Sequence, residues 1–182
     1  IQQAIRDAQA HSHAVSVLAW DGVAIAVFAA GDVIKADAAA TITALHNQSM
    51  DVWLLTGDNP EAAAQVGALV GINSDRIIAS AKPEDKLSKV SALQSEGKHV
   101  LMVGDGINDA AALAQADLSI AMGTGTDTAI ATADITIMRP QLMSIVDSLA
   151  LSKRTLRTIK VNLGWAFAYN AIGIPIAAMG LM

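Results

Sequence analysis

The feature that most constrains this chain is an alternation. Apolar runs of four to six residues end in Gly/Asp-rich loops, and Ala-rich stretches with helical spacing follow them. The runs at 15–20, 23–28, 52–55, 76–78, 100–103, 118–121 and 135–138 read as strands. From residue 33 onward, helices at about 36–48, 60–70, 84–96, 108–116 and 126–132 separate them. Such alternation specifies a parallel sheet covered by helices, because each crossover between parallel strands needs a helix's worth of chain. The first two runs instead face each other across Trp20-Asp21-Gly22-Val23, and Asp-Gly accepts the positive φ of a type I′ hairpin turn. Asn59-Pro60-Glu61 reads as a helix start with cap, N1 proline and acidic first turn.

In parallel α/β sheets, ligands collect in the loops at the C-terminal strand ends. Three such loops are unusually polar: Thr56-Gly57-Asp58-Asn59, Lys82-Pro83-Glu84-Asp85-Lys86 and Gly104-Asp105-Gly106-Ile107-Asn108-Asp109. The third gathers two carboxylates and a carboxamide at a strand end, hard oxygen ligands of the kind Mg²⁺ takes beside phosphate oxygens. A turn plus a helix cap explains Asn108 or Asp109 but not Asp105. The first loop offers the Thr56 hydroxyl, the flexible Gly57 and the amides of a following helix, which attract a phosphoryl group; taken alone, Thr-Gly-Asp is also a common turn sequence. Lys86 sits near a helix start, where a cation opposes the helix dipole, which points to an anionic partner. A solvated lysine on a helix face fits it equally well.

Charge and hydropathy bound the rest. With 12 Lys+Arg against 17 Asp+Glu the net charge is −5, which excludes a general nucleic-acid binder. The absence of cysteine removes disulfides and thiolate metal sites. All the acidic residues precede residue 150, whereas 151–182 carries only Lys153, Arg154, Arg157 and Lys160. The 22 residues from Val161 onward are uncharged, long enough at about 1.5 Å per residue to cross a bilayer core. They read as a transmembrane helix, with the basic residues and residues 1–150 on the cytoplasmic side; a buried hairpin or core helix is the alternative.

Together and in this order, the three loops resemble the haloacid dehalogenase superfamily, which handles phosphoryl groups through an aspartyl-phosphate. TGDN at 56–59, KPEDK at 82–86, VGDGINDAAALAQADLSIAMG at 103–123 and a basic stretch running into an apolar helix resemble the P-type cation-transporting ATPases. NLGWAFAYN at 162–170 followed by IPIAA at 174–178 is similar to their heavy-metal branch, specifically its copper(I) exporters. The resemblance implies an α/β, haloacid dehalogenase-like (Rossmann-like) parallel sheet with helices on both faces, followed by a C-terminal transmembrane helix. It divides the chain into the end of a nucleotide-binding domain at 1–30, a phosphorylation domain at 31–150, a basic linker helix at 151–160 and the transmembrane helix at 161–182.

The implied activity is ATP-driven copper(I) efflux. ATP and Mg²⁺ are the expected cofactors, Cu⁺ the transported ion, and the lipid bilayer and a cytosolic copper chaperone the partners, with the bacterial inner membrane as location. In this resemblance Thr56, within its Gly57-containing loop, contacts the phosphoryl group and Lys86 neutralises it. Asp105 is the Mg²⁺ ligand, Asn108 and Asp109 complete that site, and Asp58 positions nucleotide and Mg²⁺. Asp32 stands at a hinge between domains, and Tyr169 and Asn170 form a pair associated with copper(I) transfer. Ala111 and Ala131 stand where Pro and Glu are expected. The chain contains no Asp-Lys-Thr-Gly segment and no Cys-Pro-Cys, so it is not expected to be active alone. His11 and His13 read as solvated surface histidines.

Three alternatives differ in what they need. A zinc or cadmium pump wants a charged ligand in the apolar helix, and none is there. A soluble haloacid dehalogenase-type phosphatase wants a nucleophilic Asp near the N-terminus and no membrane helix. A non-catalytic, membrane-anchored binding module is what the piece is in isolation.

Overall fold

The computed structural model describes residues 1–10, 14–30, 33–105, 108–123 and 131–180. His11, His13, Asp32, Gly106, Ile107 and residues 126–130 of the expected helix at 126–132 lie outside them. The chain forms two compact units, Ile1–Met143 and Ser144–Met182.

The first unit begins with helix α1 (Gln2–Ala10), which packs on an antiparallel hairpin of β1 (Ala14–Trp20) and β2 (Val23–Ala30). Asp21 and Gly22 take φ values of 47° and 78°, the two positive angles a type I′ turn needs. The alternating part follows: α2 (Ala38–His46), β3 (Leu54–Leu55), α3 (Pro60–Val70), β4 (Ile77–Ile78), α4 (Pro83–Ser95), β5 (Leu101–Gly104), α5 (Ala110–Gln115), β6 (Leu118–Met122) and β7 (Ile135–Ile137). The strands pair in parallel as two ladders, β3–β4 and β5–β6–β7, with Val103 opposite Ile120 and Ile120 opposite Ile135. The expected run at 52–55 pairs only over Leu54–Leu55. Its alternation persists before the ladder starts: Val52 and Leu54 pack together on Ala38, Val70 and Ile72, while the intervening Trp53 ring meets Lys89 Nζ at 3.5 Å and the Arg76 guanidinium at 5.4 Å.

Asn59 caps α3 as its sequence predicts, accepting from the Ala62 N–H at 2.8 Å, with Pro60 in the first turn. A second apolar cluster of Val90, Met102, Ala112, Leu113 and Ala121 joins α4 and α5 to β5 and β6. β6 is the middle strand of its ladder and is buried from Ser119 to Met122, the pattern of a parallel strand covered on both faces.

A serine in such a strand needs a partner, and Asp134 supplies it. The Asp134 carboxylate accepts from the Ser119 hydroxyl at 2.8 Å and the Ser119 N–H at 2.9 Å, and the Asp134 N–H donates to the Ser119 hydroxyl at 3.0 Å. These bonds, the hydroxyl's first, hold the Asp134 carboxyl below the usual carboxylate range. A carboxyl lowered in the folded state contributes stability at neutral pH and loses it as pH falls through the folded value, here below about pH 4. The urea midpoint of the chain is therefore expected to fall on acidification from pH 6 to pH 3, and to fall less in Asp134→Asn. An identical acid limb in both proteins would show that this bond set carries no linkage.

The second unit is one helix, α6, running without interruption from Met143 to Ala178 through Pro175; its first residue, Met143, belongs to the first unit. The basic stretch and the uncharged stretch are thus successive turns of a single element. The expectation of a transmembrane helix at 161–182 is corrected here: among the described residues no helix is long and apolar enough to cross a membrane. The cause is composition, because Asn162, Tyr169, Asn170 and Pro175 dilute the Val, Leu and Ile content of a run that the absence of charge alone marks as apolar.

Candidate functional site

The site residues of the first unit converge because two loops are stitched together by their backbones. The Thr56 N–H donates to the Ile78 carbonyl at 3.0 Å, continuing the β3–β4 ladder, and the Ala81 N–H donates back to the Thr56 carbonyl at 2.8 Å. One residue further, the Ser80 N–H donates to the Asp58 carbonyl at 2.7 Å. Ser80 reaches this position with a φ of 51°, an angle that non-glycine residues rarely adopt. The loop after β3 and the loop leading into α4 therefore form one frame.

Within that frame the Thr56 hydroxyl donates to Asp58 Oδ2 at 2.7 Å and accepts from the Asp58 N–H at 3.1 Å. Gly57 is exposed beside the Ala81 carbonyl. At the start of α4, Asp85 accepts from the Lys82 N–H at 2.9 Å. One residue on, Lys86 turns inward and Lys86 Nζ donates to Asp109 Oδ1 at 2.7 Å.

This ion pair links α4 to the loop after β5, and the two side chains are 13% and 12% exposed. It decides between the readings left open for both residues. Asp109 occupies the N-cap position of α5, yet its side chain makes no capping hydrogen bond. The carboxylate of a capping aspartate lies over the first amides of its helix; this one lies on Lys86. Nor is Lys86 a solvated lysine.

Asp105 and Asn108 are exposed on the same loop. Among the described residues no three His, Cys, Asp or Glu side chains gather as a metal-holding group. The donor set fits Mg²⁺ all the same, since that ion keeps several waters and takes only one or two protein carboxylates beside phosphate oxygens. Asp105, Asp109 and the Asn108 carboxamide are the residues that would hold it.

Tyr169 and Asn170 lie on α6, in the second unit. Tyr169 is 65% exposed, and the Asn170 amide donates to the Ala166 carbonyl of its own helix at 2.8 Å. A bond of this kind satisfies the amide within one helix turn and leaves its carbonyl oxygen to face outward.

Two contributors were missed in the sequence. Gly104 reads there as a turn residue, but a Cβ at this position would stand 2.8 Å from Asp109 Oδ2 and 3.1 Å from its Cβ, so the missing side chain is the floor on which Asp109 rests. Trp53 reads as an ordinary strand residue, but through Lys89 it holds α4, the helix that carries Lys86, against β3. Its only sequence signal is an aromatic residue opposite the apolar face of a short strand.

The arrangement defines a class: parallel α/β domains whose chemistry sits at the C-terminal strand ends, where a threonine, a lysine and paired carboxylates converge. The chain belongs to the haloacid dehalogenase-like hydrolase family, whose model matches residues 2–117. It is 51% identical to the probable copper-importing P-type ATPase A of Enterococcus hirae, over 92% of this chain and 23% of that protein. It is 49% identical to the probable copper-exporting P-type ATPase V of Mycobacterium tuberculosis, over 89% of this chain and 21% of that protein. Among solved structures, a zinc-transporting PIB-type ATPase in its E2.Pi state matches all of this chain and 29% of its own, with a TM-score of 0.79 at 32% identity. The chain thus spans less than a quarter of the length of the two curated relatives.

Proposed function

We propose that this chain is the phosphoryl-handling portion of a longer ATP-driven heavy-metal pump that moves copper(I), and that its chemistry passes through an aspartyl-phosphate formed on an upstream segment. The observation that carries this reading is the Lys86–Asp109 pair, a lysine and a carboxylate withdrawn from water at the ends of two parallel ladders. An ammonium group has three N–H donors. Lys86 spends one on Asp109 and has two with which to hold the oxygens of a transferring phosphoryl group. The Thr56 hydroxyl turns about its C–O bond from Asp58 to a phosphoryl oxygen, while the Asp58 N–H keeps its oxygen in place. The stitched loops fix the spacing of these two donors, so that little reorganisation accompanies the transfer. Mg²⁺, when bound at Asp105, Asn108 and Asp109, offsets the negative charge of the phosphoryl group.

Copper is favoured over zinc because the relatives that reach about half identity are named for copper, whereas the zinc transporter is matched at 32%. Asn170 and Tyr169 then belong to the ion path, with the soft ligands that select copper(I) coming from other helices. In the same reading the intact pump is a membrane protein, and residues 1–150 face the cytoplasm and receive copper from a chaperone.

The decisive measurement is phosphoenzyme formation from ATP in the intact protein. Wild type is expected to be stimulated by copper(I), and Asp105→Ala and Asp109→Ala to form none. Normal phosphorylation of both variants would remove the Mg²⁺ assignment, and stimulation by zinc but not copper(I) would replace the ion.

A further inference from the structure

The first residue of α6 is held by a carboxylate from a distant part of the sequence. A helix leaves its first N–H groups without partners, and a Ser, Thr, Asp or Asn just before it usually supplies one. The residues before Met143 are Gln141 and Leu142, which are not of that kind. Asp37, 106 residues earlier, takes their place: its Oδ2 accepts from the Met143 N–H at 2.9 Å. Asp37 stands at the N-cap position of α2 yet makes no side-chain capping bond there. The carboxylate that sequence assigns to α2 thus serves α6.

Two further attachments accompany this bond. Lys35 Nζ donates to the Pro140 carbonyl. Between Pro140 and Met143, Leu142 packs on the cluster of Ala38, Val70 and Ile72, where Ile34 also packs. The segment 34–38 therefore grips 140–143 by a polar, an apolar and a polar contact in turn. The covalent link from β7 to α6 is the five residues 138–142, which lie in neither helix nor strand. Irregular chain passes on a displacement poorly unless it is fastened.

What the grip joins gives it a use. The same cluster takes in Val52 and Leu54, and β3 runs directly from Leu54 into the Thr56 loop. Beyond Met143, α6 continues unbroken to Ala178 and includes Tyr169 and Asn170. The phosphoryl loop and the first residue of α6 are thus fixed to one apolar cluster, and Lys35 and Asp37 are the polar groups that keep the second of them there.

We propose that Lys35 and Asp37 are positioning residues that couple the phosphoryl site to α6, so that ion binding is felt at the Thr56 loop and phosphorylation is felt at the start of the helix. The proposal rests on the pump reading given above and is indifferent to which metal ion is moved.

The test is made on the intact protein with two readouts. Phosphoenzyme formed from inorganic phosphate without metal reports the site alone, and the rise in phosphoenzyme from ATP on adding copper(I), or zinc if zinc is the stimulating ion, reports the coupling. Lys35→Met/Asp37→Ala is expected to keep the first within about twofold of wild type and to lose about 10-fold of the second. Asp37→Asn retains an oxygen for the Met143 N–H and is expected to keep most of the stimulation. Lys35 is exposed, so Lys35→Met alone is expected to fold and to show part of the effect. Gly97→Ala, which strains the backbone at a φ of 78° away from this contact, is expected to keep the stimulation. Unchanged stimulation in the double variant and in Lys35→Met would overturn the coupling and leave the pump standing. A fall of both readouts together would also overturn it, by showing that the contact only stabilises the fold. Loss in Asp37→Asn as large as in the double variant would overturn the capping bond as its cause. A wild-type protein that forms no phosphoenzyme by either route would overturn the pump reading and the coupling with it.

Discussion

Lys86→Met is expected to lower the unfolding stability of the chain by about 3 kcal/mol, and Lys86→Met/Asp109→Leu to recover most of that loss. The pair lies 2.7 Å apart with both side chains nearly withdrawn from solvent. Removing the ammonium group leaves a carboxylate pinned against Gly104, and that uncompensated charge is what makes the single variant costly. Replacing both partners with apolar groups of similar volume removes the charge and its penalty together. Urea unfolding of the three proteins, followed by circular dichroism, gives the comparison. Phosphoenzyme formation by intact, fully folded Lys86→Met separates the two meanings of the pair, because losing a purely structural bridge leaves the folded protein active and losing a phosphoryl-holding lysine does not. A single variant within about 0.5 kcal/mol of wild type would show that solvent already relaxes the buried carboxylate. Normal phosphorylation by folded Lys86→Met would reduce Lys86 to a structural role.

The parts of the fold that local chemistry dictates were legible. Asp21-Gly22 announces its turn because few other dipeptides accept two positive φ angles, and Asn59-Pro60 announces a helix because cap and N1 proline satisfy or remove the first orphan N–H groups. Loops ending apolar runs placed Thr56, Lys86 and Asp109 at strand ends, which is enough to nominate them. What they touch was not legible. Lys86 and Asp109 are 23 residues apart and meet only because β4 and β5 deliver their loops to the same end of the domain. The Thr56–Asp58 bond is local, but the frame that holds it depends on Ser80, whose positive φ has no glycine or asparagine to advertise it. The C-terminal run shows the opposite case: it has no charge, yet it holds Asn162, Tyr169, Asn170 and Pro175. Helix α6 shows that the hydropathy of that run is diluted by amides, a phenol and a proline. The same helix also shows that Lys153, Arg157 and Lys160 share a face, a relation visible in the sequence only once the helix is known to be unbroken there.

Gly104→Ala is expected to cut phosphoryl transfer in the intact protein by about 100-fold while leaving secondary structure unchanged. The new Cβ would stand 2.8 Å from Asp109 Oδ2 and 3.1 Å from Asp109 Cβ, closer than side chains pack, so one side must move. The strand cannot. Gly104 is paired with Ala121 in the β5–β6 ladder, and Ala121 is 0% exposed in the middle of the core. Asp109 begins a six-residue helix after a loop and yields more readily, which carries its carboxylate off Lys86 and out of the geometry that the phosphoryl group and Mg²⁺ require. Gly97→Ala is the control. Gly97 has a φ of 78° with open space around its Cβ position, so that substitution strains the backbone by about 1 kcal/mol or more without touching the site. The two variants should therefore separate, Gly97→Ala losing stability but not phosphorylation and Gly104→Ala losing phosphorylation far beyond its loss of stability. Equal phosphorylation in wild type and Gly104→Ala would mean that Asp109 tolerates the displacement, and would take with it the claim that the missing side chain at Gly104 sets the position of the carboxylate.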